Sequence, residues 1–201
     1  MADAQARARE LLDRYGQTYA DEAGIRLRDA PSPLYQLLVL STLLSAPISS
    51  GVSVAAAREL FRAGYRTPGA MVAASWQDRV DALGRGHYRR YDESTARELG
   101  KAAQHCLDRW RGDLRRMRAE ADGDAGRLSR LLREFAGIGP TGADIFIREV
   151  QTVWTEFSPF LDHRVAAIAA AHGLPSSPEV LARSVPEGEF GRLTAALVRD
   201  R

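Results

Sequence analysis

Residues 132–146 read Leu132-Arg133-Glu134-Phe135-Ala136-Gly137-Ile138-Gly139-Pro140-Thr141-Gly142-Ala143-Asp144-Ile145-Phe146. Two helical patterns meet here at the Gly137-Ile138-Gly139-Pro140 turn. Both glycines are open to positive φ and to close approach by another backbone. Pro140 suits the first turn of the following helix, where its missing N–H has no partner to lose. Ala143 is small enough for the two helices to pack closely. A hairpin of this kind turns backbone N–H groups outward at a helix N-terminus, and that makes an anion site. A DNA backbone phosphate is one such anion, gripped without regard to base sequence. The same glycines also serve an ordinary helix–helix connection, and the turn alone does not separate the two uses.

The order of features around the turn narrows the choice. Upstream runs Leu37-Leu38-Val39-Leu40-Ser41-Thr42-Leu43-Leu44-Ser45-Ala46, an apolar helix. It is followed by the amphipathic stretch Val52–Phe61 and by Thr67-Pro68-Gly69-Ala70-Met71, a Thr-Pro helix start. Downstream comes Phe160-Leu161-Asp162-His163-Arg164-Val165. In this order, over roughly residues 30–173, the chain resembles the endonuclease III, helix-hairpin-helix superfamily of DNA-repair glycosylases.

The resemblance implies an all-α, two-lobed fold. A central bundle would span residues 31–152 and carry the hairpin at about 126–152. Residues 1–30 plus 153–201 would form the second lobe, with the active cleft between. It implies that Asp162 is the catalytic carboxylate, which stabilises positive charge on the deoxyribose or activates water as the base leaves. It implies a phosphate grip at Gly137, Ile138, Gly139, Thr141 and Gly142. It also implies a monovalent cation, K⁺ or Na⁺, held by the backbone carbonyls of Arg133, Phe135 and Ile138. Asp162 has a purely structural use as well, since it stands where it would N-cap the helix beginning near Val165. The two uses are compatible.

The chain departs from the family pattern at three places. Bifunctional members carry a lysine two positions after the second hairpin glycine, and Thr141 stands there; a hydroxyl forms no Schiff base. Pro47 replaces the glutamine that often follows Leu-Leu-Ser-Ala and fills the space of the flipped base; an apolar wedge can also unstack DNA. Residues 34–46 contain no acid, whereas the adenine-mismatch branch uses one there to protonate the leaving base. The hairpin-to-aspartate spacing is also longer than in endonuclease III, with the extra residues expected in Val153–Ser158.

Composition fits a globular chain: 201 residues, 45% hydrophobic, net charge +2. No apolar run approaches a membrane span. The N-terminal stretch Ala2–Arg14 is charged and reads as a helix rather than a signal peptide. A cytoplasmic, nucleoid-associated and monomeric protein without membrane contact is expected. Cys106 is the single cysteine, so an iron–sulfur cluster, which needs about four thiolates, is not expected. Cys106 itself reads as a small half-buried helix residue.

Of the 28 basic residues Lys101 is the one lysine, about 40 residues upstream of the hairpin on a different predicted helix. The arginines cluster in two places. Arg85-Gly86-His87-Tyr88-Arg89-Arg90 reads either as a solvated loop or as a loop lying along a DNA strand, with Arg85, Arg89 and Arg90 on phosphates. Arg109–Arg118 reads as the solvated face of a polar helix. The four histidines, His87, His105, His163 and His172, have no metal-ligand spacing.

Apolar spacing predicts helices over 34–45, 52–63, 76–83, 92–110, 126–135, 141–153, 163–172, 178–184 and 188–199, with no strand. Two functions remain. One is base-excision repair by a monofunctional DNA N-glycosylase without lyase activity, acting on double-stranded DNA through Asp162. The other is a non-catalytic, sequence-independent DNA-binding protein on the same fold.

Overall fold

The computed structural model describes residues 2–200; residues 1 and 201, which the predicted second lobe includes, lie outside them. The described residues form thirteen α-helices and one 3₁₀ turn, with no strand among them. In chain order these are α1 (Ala2–Tyr15), α2 (Tyr19–Glu22), α3 (Pro31–Ser45), α4 (Ser50–Arg62), α5 (Pro68–Ala73), α6 (Trp76–Arg85), α7 (Asp92–Trp110), α8 (Arg115–Ala121), α9 (Ala125–Leu132), α10 (Pro140–Val150), α11 (His163–Ala171), α12 (Pro178–Ala182) and α13 (Phe190–Arg199). The 3₁₀ turn is Thr155–Phe157 and falls in the expected insertion.

The centre of the molecule is α3. It is apolar on every side, as a helix enclosed by others must be, and Leu34, Leu37, Leu40 and Leu43 are fully buried. Pro31 stands in its first turn. Its end is set by Pro47, which excludes the preceding residue from helical backbone; Ala46 is accordingly extended. The carbonyl of Leu43 near that end accepts the Ser53 hydroxyl of α4 at 2.9 Å, so a buried polar group at the helix terminus is satisfied.

α10 lies against α3, α9 and α13. α4 packs on α3 and α6, and α5 and α6 pack on α7. Gly86 at the end of α6 touches the α4 backbone: a Cβ there would sit 2.4 Å from the Ala56 Cα. The glycine of the arginine-rich loop therefore serves helix packing. α1 runs along α13, which also contacts α11. One continuous apolar core joins all of these, from Ala8 and Leu11 of α1 to Leu193 and Leu197 of α13.

Helix boundaries depart from the periodicity in several places: α2, α5 and α8 fall in none of the predicted ranges, and α9 ends at Leu132 rather than 135. The stretch Arg109–Arg118 is not one helix face. α7 ends at Trp110, Arg111 takes left-handed backbone at φ 52°, and α8 begins at Arg115. Three of its arginines are ion-paired rather than simply solvated: Arg109 meets Glu120 at 2.9 Å, Arg115 meets Asp113 at 2.7 Å, and Arg118 meets Asp29 at 2.8 Å. α10 stops at Val150, before the predicted 153, because Val153 and Trp154 turn back to bond the Val150 carbonyl.

Candidate functional site

The turn between α9 and α10 has two unlike glycines. Gly137 takes φ +82°, and a Cβ there would meet Thr42 Cγ2 and Glu98 Oε2 at 3.0 Å. It is required by both backbone and packing. Gly139 is extended, φ −93°, ψ −171°, and a Cβ there would meet nothing within 4 Å. The expectation that both glycines exploit positive φ is thus corrected for Gly139, whose exposed backbone is open to a bound group instead. Gly139 caps α10 without a side-chain bond, and Pro140 occupies the first turn. Thr141 is exposed, while Ile138 and Gly142 are buried, Gly142 against Ser45 and Ile138. The Phe135 carbonyl accepts the Ile138 amide at 3.1 Å and keeps a lone pair. The donor set of Arg133, Phe135 and Ile138 is three neutral backbone oxygens, which fits a weakly held monovalent ion better than a divalent one that wants carboxylates.

Beside the hairpin opens a cleft with a cavity volume of about 970 Å³. One wall is the loop from Leu44 to Ser50, which carries Pro47. A second is the face of α10 bearing Thr141, Asp144 and Arg148. The start of α11 supplies Asp162, His163 and Arg164, and Tyr15, Tyr19 and Arg199 close the far side.

Asp162 is 7% exposed and sits at the base of this cleft. It caps α11: its Oδ1 accepts the Val165 amide at 3.1 Å. Its Oδ2 accepts from Arg148 Nη1 at 2.7 Å, and both side chains are buried. Such a charge-assisted bond fixes the carboxylate in one orientation. Arg148 is incompletely matched, because its Nε is buried with no partner. Asp144, one helical turn before Arg148, is half-buried in the cleft, and its carboxyl makes no hydrogen bond or ion pair with the described residues. Burial raises its pKa above the ordinary carboxyl value, the charge of Asp162 adds to the rise, and Arg148 opposes it.

The far side of the cleft is held from α10 as well. Glu149 is buried and accepts the Tyr19 and Ala20 amides at 3.3 and 2.9 Å, which ties α10 to α2. Burial raises the Glu149 pKa against the pull of those amides. Arg199 lies over the Tyr19 ring at 4.2 Å and bonds Glu22 at 2.5 Å, so its charge is already engaged.

The remaining sequence candidates sort clearly. Pro47, Thr141 and Asp162 converge on the cleft, and His163 lines its mouth. Arg85, Arg89 and Arg90 do not line it. Arg85 pairs with Glu59 at 3.4 Å and Arg90 lies over Tyr91. The aromatic between them, Tyr88, is 1% exposed with its hydroxyl on Thr95, so it offers no ring to DNA. Lys101 lines a different groove, with Trp76 and Arg97, on the far part of the bundle. Cys106 is buried and its thiol is pushed up to about 12, which marks it as unreactive. Among the described residues no group of His, Cys, Asp and Glu could hold a metal ion, and no helix is long and apolar enough to cross a membrane.

Asp144, Arg148 and Arg164 are the site residues that sequence reasoning missed. For the first two a signal existed: Thr141, Asp144 and Arg148 fall three and four apart on a helix whose other residues, Glu149 apart, are apolar or glycine. A polar stripe on a buried helix needs a wet cavity to face. Arg164 carried no signal beyond its place next to the Asp162 motif.

Among solved structures, the chain is similar to an endonuclease III trapped as a covalent intermediate with DNA in an estranged-adenine complex. The two share 16% identity at a TM-score of 0.58, over 98% of this chain and 82% of that one. No protein-family model and no curated protein matches the chain. The chain therefore has the all-α fold of endonuclease III.

Proposed function

We propose that this chain is a DNA-repair glycosylase of the monofunctional kind, which binds double-stranded DNA and hydrolyses the bond between a damaged or mismatched base and its sugar. The observation that carries this reading is the position of Asp162. It lies in an open polar cleft lined by the start of α10, beside the α9–α10 hairpin, and its carboxylate is fixed by a helix cap and an arginine. A base flipped from the duplex into the cleft would bring C1′ of its sugar towards Asp162. Each oxygen still has a lone pair beyond those used by Val165 and Arg148. The carboxylate stabilises the positive charge that develops as the glycosidic bond opens, and water completes the hydrolysis.

The grip on DNA comes from the Gly139 and Thr141 backbone, from exposed Arg164 at the cleft mouth, and from Pro47 as an apolar wedge. A K⁺ or Na⁺ ion on the Arg133, Phe135 and Ile138 carbonyls would add charge behind that grip. No iron–sulfur cluster is called for, since the chain has one cysteine. The cleft lining holds no lysine, which supports base removal without strand cleavage.

One observation favours the non-catalytic DNA binder: Arg148 partly neutralises the charge that Asp162 would lend to the transition state. A single assay separates the two. Duplexes carrying deaminated, oxidised, alkylated or mismatched bases are incubated with the protein and then treated with alkali. Abasic sites that appear only with the protein support the glycosylase; tight binding without any abasic product supports the binder.

A further inference from the structure

We propose that Asp144 is the acid that protonates the departing base, and that the substrate is accordingly an uncharged base. This rests on the glycosylase reading above.

An uncharged base that leaves without a proton leaves as an anion, so its departure is eased by a donor in the cleft. The early buried helix α3 supplies no acid, and the segment Leu44 to Ser50, from the end of α3 to the start of α4, is made of apolar and hydroxyl residues. The cleft nevertheless holds a second carboxyl. Asp144 stands on α10 three residues after Thr141 and four before Arg148, so its side chain shares their face. It lines the same cavity as Asp162.

The two carboxyls live in different surroundings. Asp162 is engaged by the Val165 amide and by Arg148. Asp144 has neither an amide nor an ion pair and is half-buried beside the charge of Asp162. Two acids in one cavity, one bonded to a cation and one pushed towards its neutral form, is the arrangement that divides a glycosidic cleavage into a charge stabiliser and a proton donor. The charged and titratable groups around Asp144 are few. Arg148 comes from its own helix, Asp162, His163 and Arg164 from α11, Arg199 from α13, and Tyr15 and Tyr19 from the N-terminal segment. Arg199 is committed to Glu22, and Arg148 to Asp162.

The atoms balance as follows. As the C1′–N bond breaks, its electron pair passes to the base, and the base nitrogen takes the proton of Asp144. Water bonds to C1′ through its oxygen and gives up one proton to solvent by way of Asp162. Asp144 regains a proton from solvent. The products are the neutral base and the sugar hydroxyl.

The test is single-turnover excision by the full chain and by Asp144→Asn and Asp144→Glu. The substrates are duplexes carrying hypoxanthine, uracil or adenine opposite 8-oxoguanine, all uncharged, and a duplex carrying 7-methylguanine. The last base is already cationic and departs without a donor. Asp144→Asn is expected to lower excision of the uncharged base by about 100-fold and to change 7-methylguanine release by less than about 3-fold. Asp144→Glu should restore part of the loss. In the unsubstituted protein the rate on the uncharged base should fall as pH rises through the Asp144 pKa, and that fall should vanish in Asp144→Asn. Equal losses on both kinds of base, no loss on either, or activity confined to 7-methylguanine would each overturn the role of Asp144 and leave the glycosylase standing. Absence of excision on every duplex would overturn the glycosylase itself.

Discussion

Asp162 uses both carboxylate oxygens as acceptors. One oxygen caps α11 and the other meets Arg148 inside a protein wall. Buried pairs are costly to break from one side, since the remaining charge loses both water and partner. Asp162→Asn is therefore expected to do two things. It should lower unfolding stability by about 3 kcal/mol, as read by denaturant titration, because Arg148 stays buried without its counter-charge. It should also lower base excision by about 100-fold or more under conditions where the variant is folded, with a far smaller change in affinity for an abasic duplex. The double variant Asp162→Asn/Arg148→Met should be more stable than Asp162→Asn alone, because it removes the stranded charge as well. Excision at the original rate by folded Asp162→Asn would show that the carboxylate serves α11 and nothing else.

At the scale of elements, the α9–α10 turn holds two unlike glycines, Gly137 and Gly139, of which only the first is required by backbone and packing. Gly137→Ala forces left-handed backbone on a residue with a Cβ and presses that Cβ on Thr42 and Glu98. A loss of about 1–2 kcal/mol is expected. Gly139→Ala meets no atom and needs no unusual φ. It should leave stability unchanged or raise it by roughly 0.4–1 kcal/mol by restricting the unfolded chain. The same substitution should weaken binding to unrelated duplex sequences alike, because a methyl stands where a phosphate would approach the backbone. Thermal denaturation and fluorescence anisotropy on two unrelated duplexes check both halves. Unchanged affinity in Gly139→Ala would mean that the turn is a connector and not a grip.

At the scale of the molecule, two properties depend on where charges end up after folding. Duplex affinity should fall with salt, with a log–log slope of about −0.9 for each neutralised phosphate, and an affinity flat between low and physiological salt would refute the DNA-binding reading. Strand cleavage needs an amine at C1′, and Lys101 lies in the groove beside Trp76 rather than in the cleft. Borohydride should accordingly fail to trap the protein on abasic DNA, and the product strand should stay intact until alkali is added. Thr141→Lys, on the exposed cleft wall, should gain trapping. Efficient trapping of the unsubstituted chain that disappears in Lys101→Ala would overturn this arrangement.

Much of this was legible in the chain because its causes are local. Pro31, Pro47 and Pro140 act on their own or the preceding φ and ψ, so helix starts and stops follow from composition. Gly137 and Asp162 act within one turn of themselves, one through positive φ and one through an i+3 amide. The all-helical architecture followed from these marks and from apolar spacing. Other features have partners that sequence distance hides. Arg148 reaches Asp162 across 14 residues and Glu149 reaches Ala20 across 129. Tyr88 and Gly86 stand in the same arginine-rich loop, yet packing buries the first and sets the second against α4. Asp144 carried only its place on the polar stripe of α10. Its role depends on a cavity whose walls come from the α3–α4 loop, α10, α11, α13 and the N-terminal segment, and a residue's solvation and charge neighbours exist only once those walls have met.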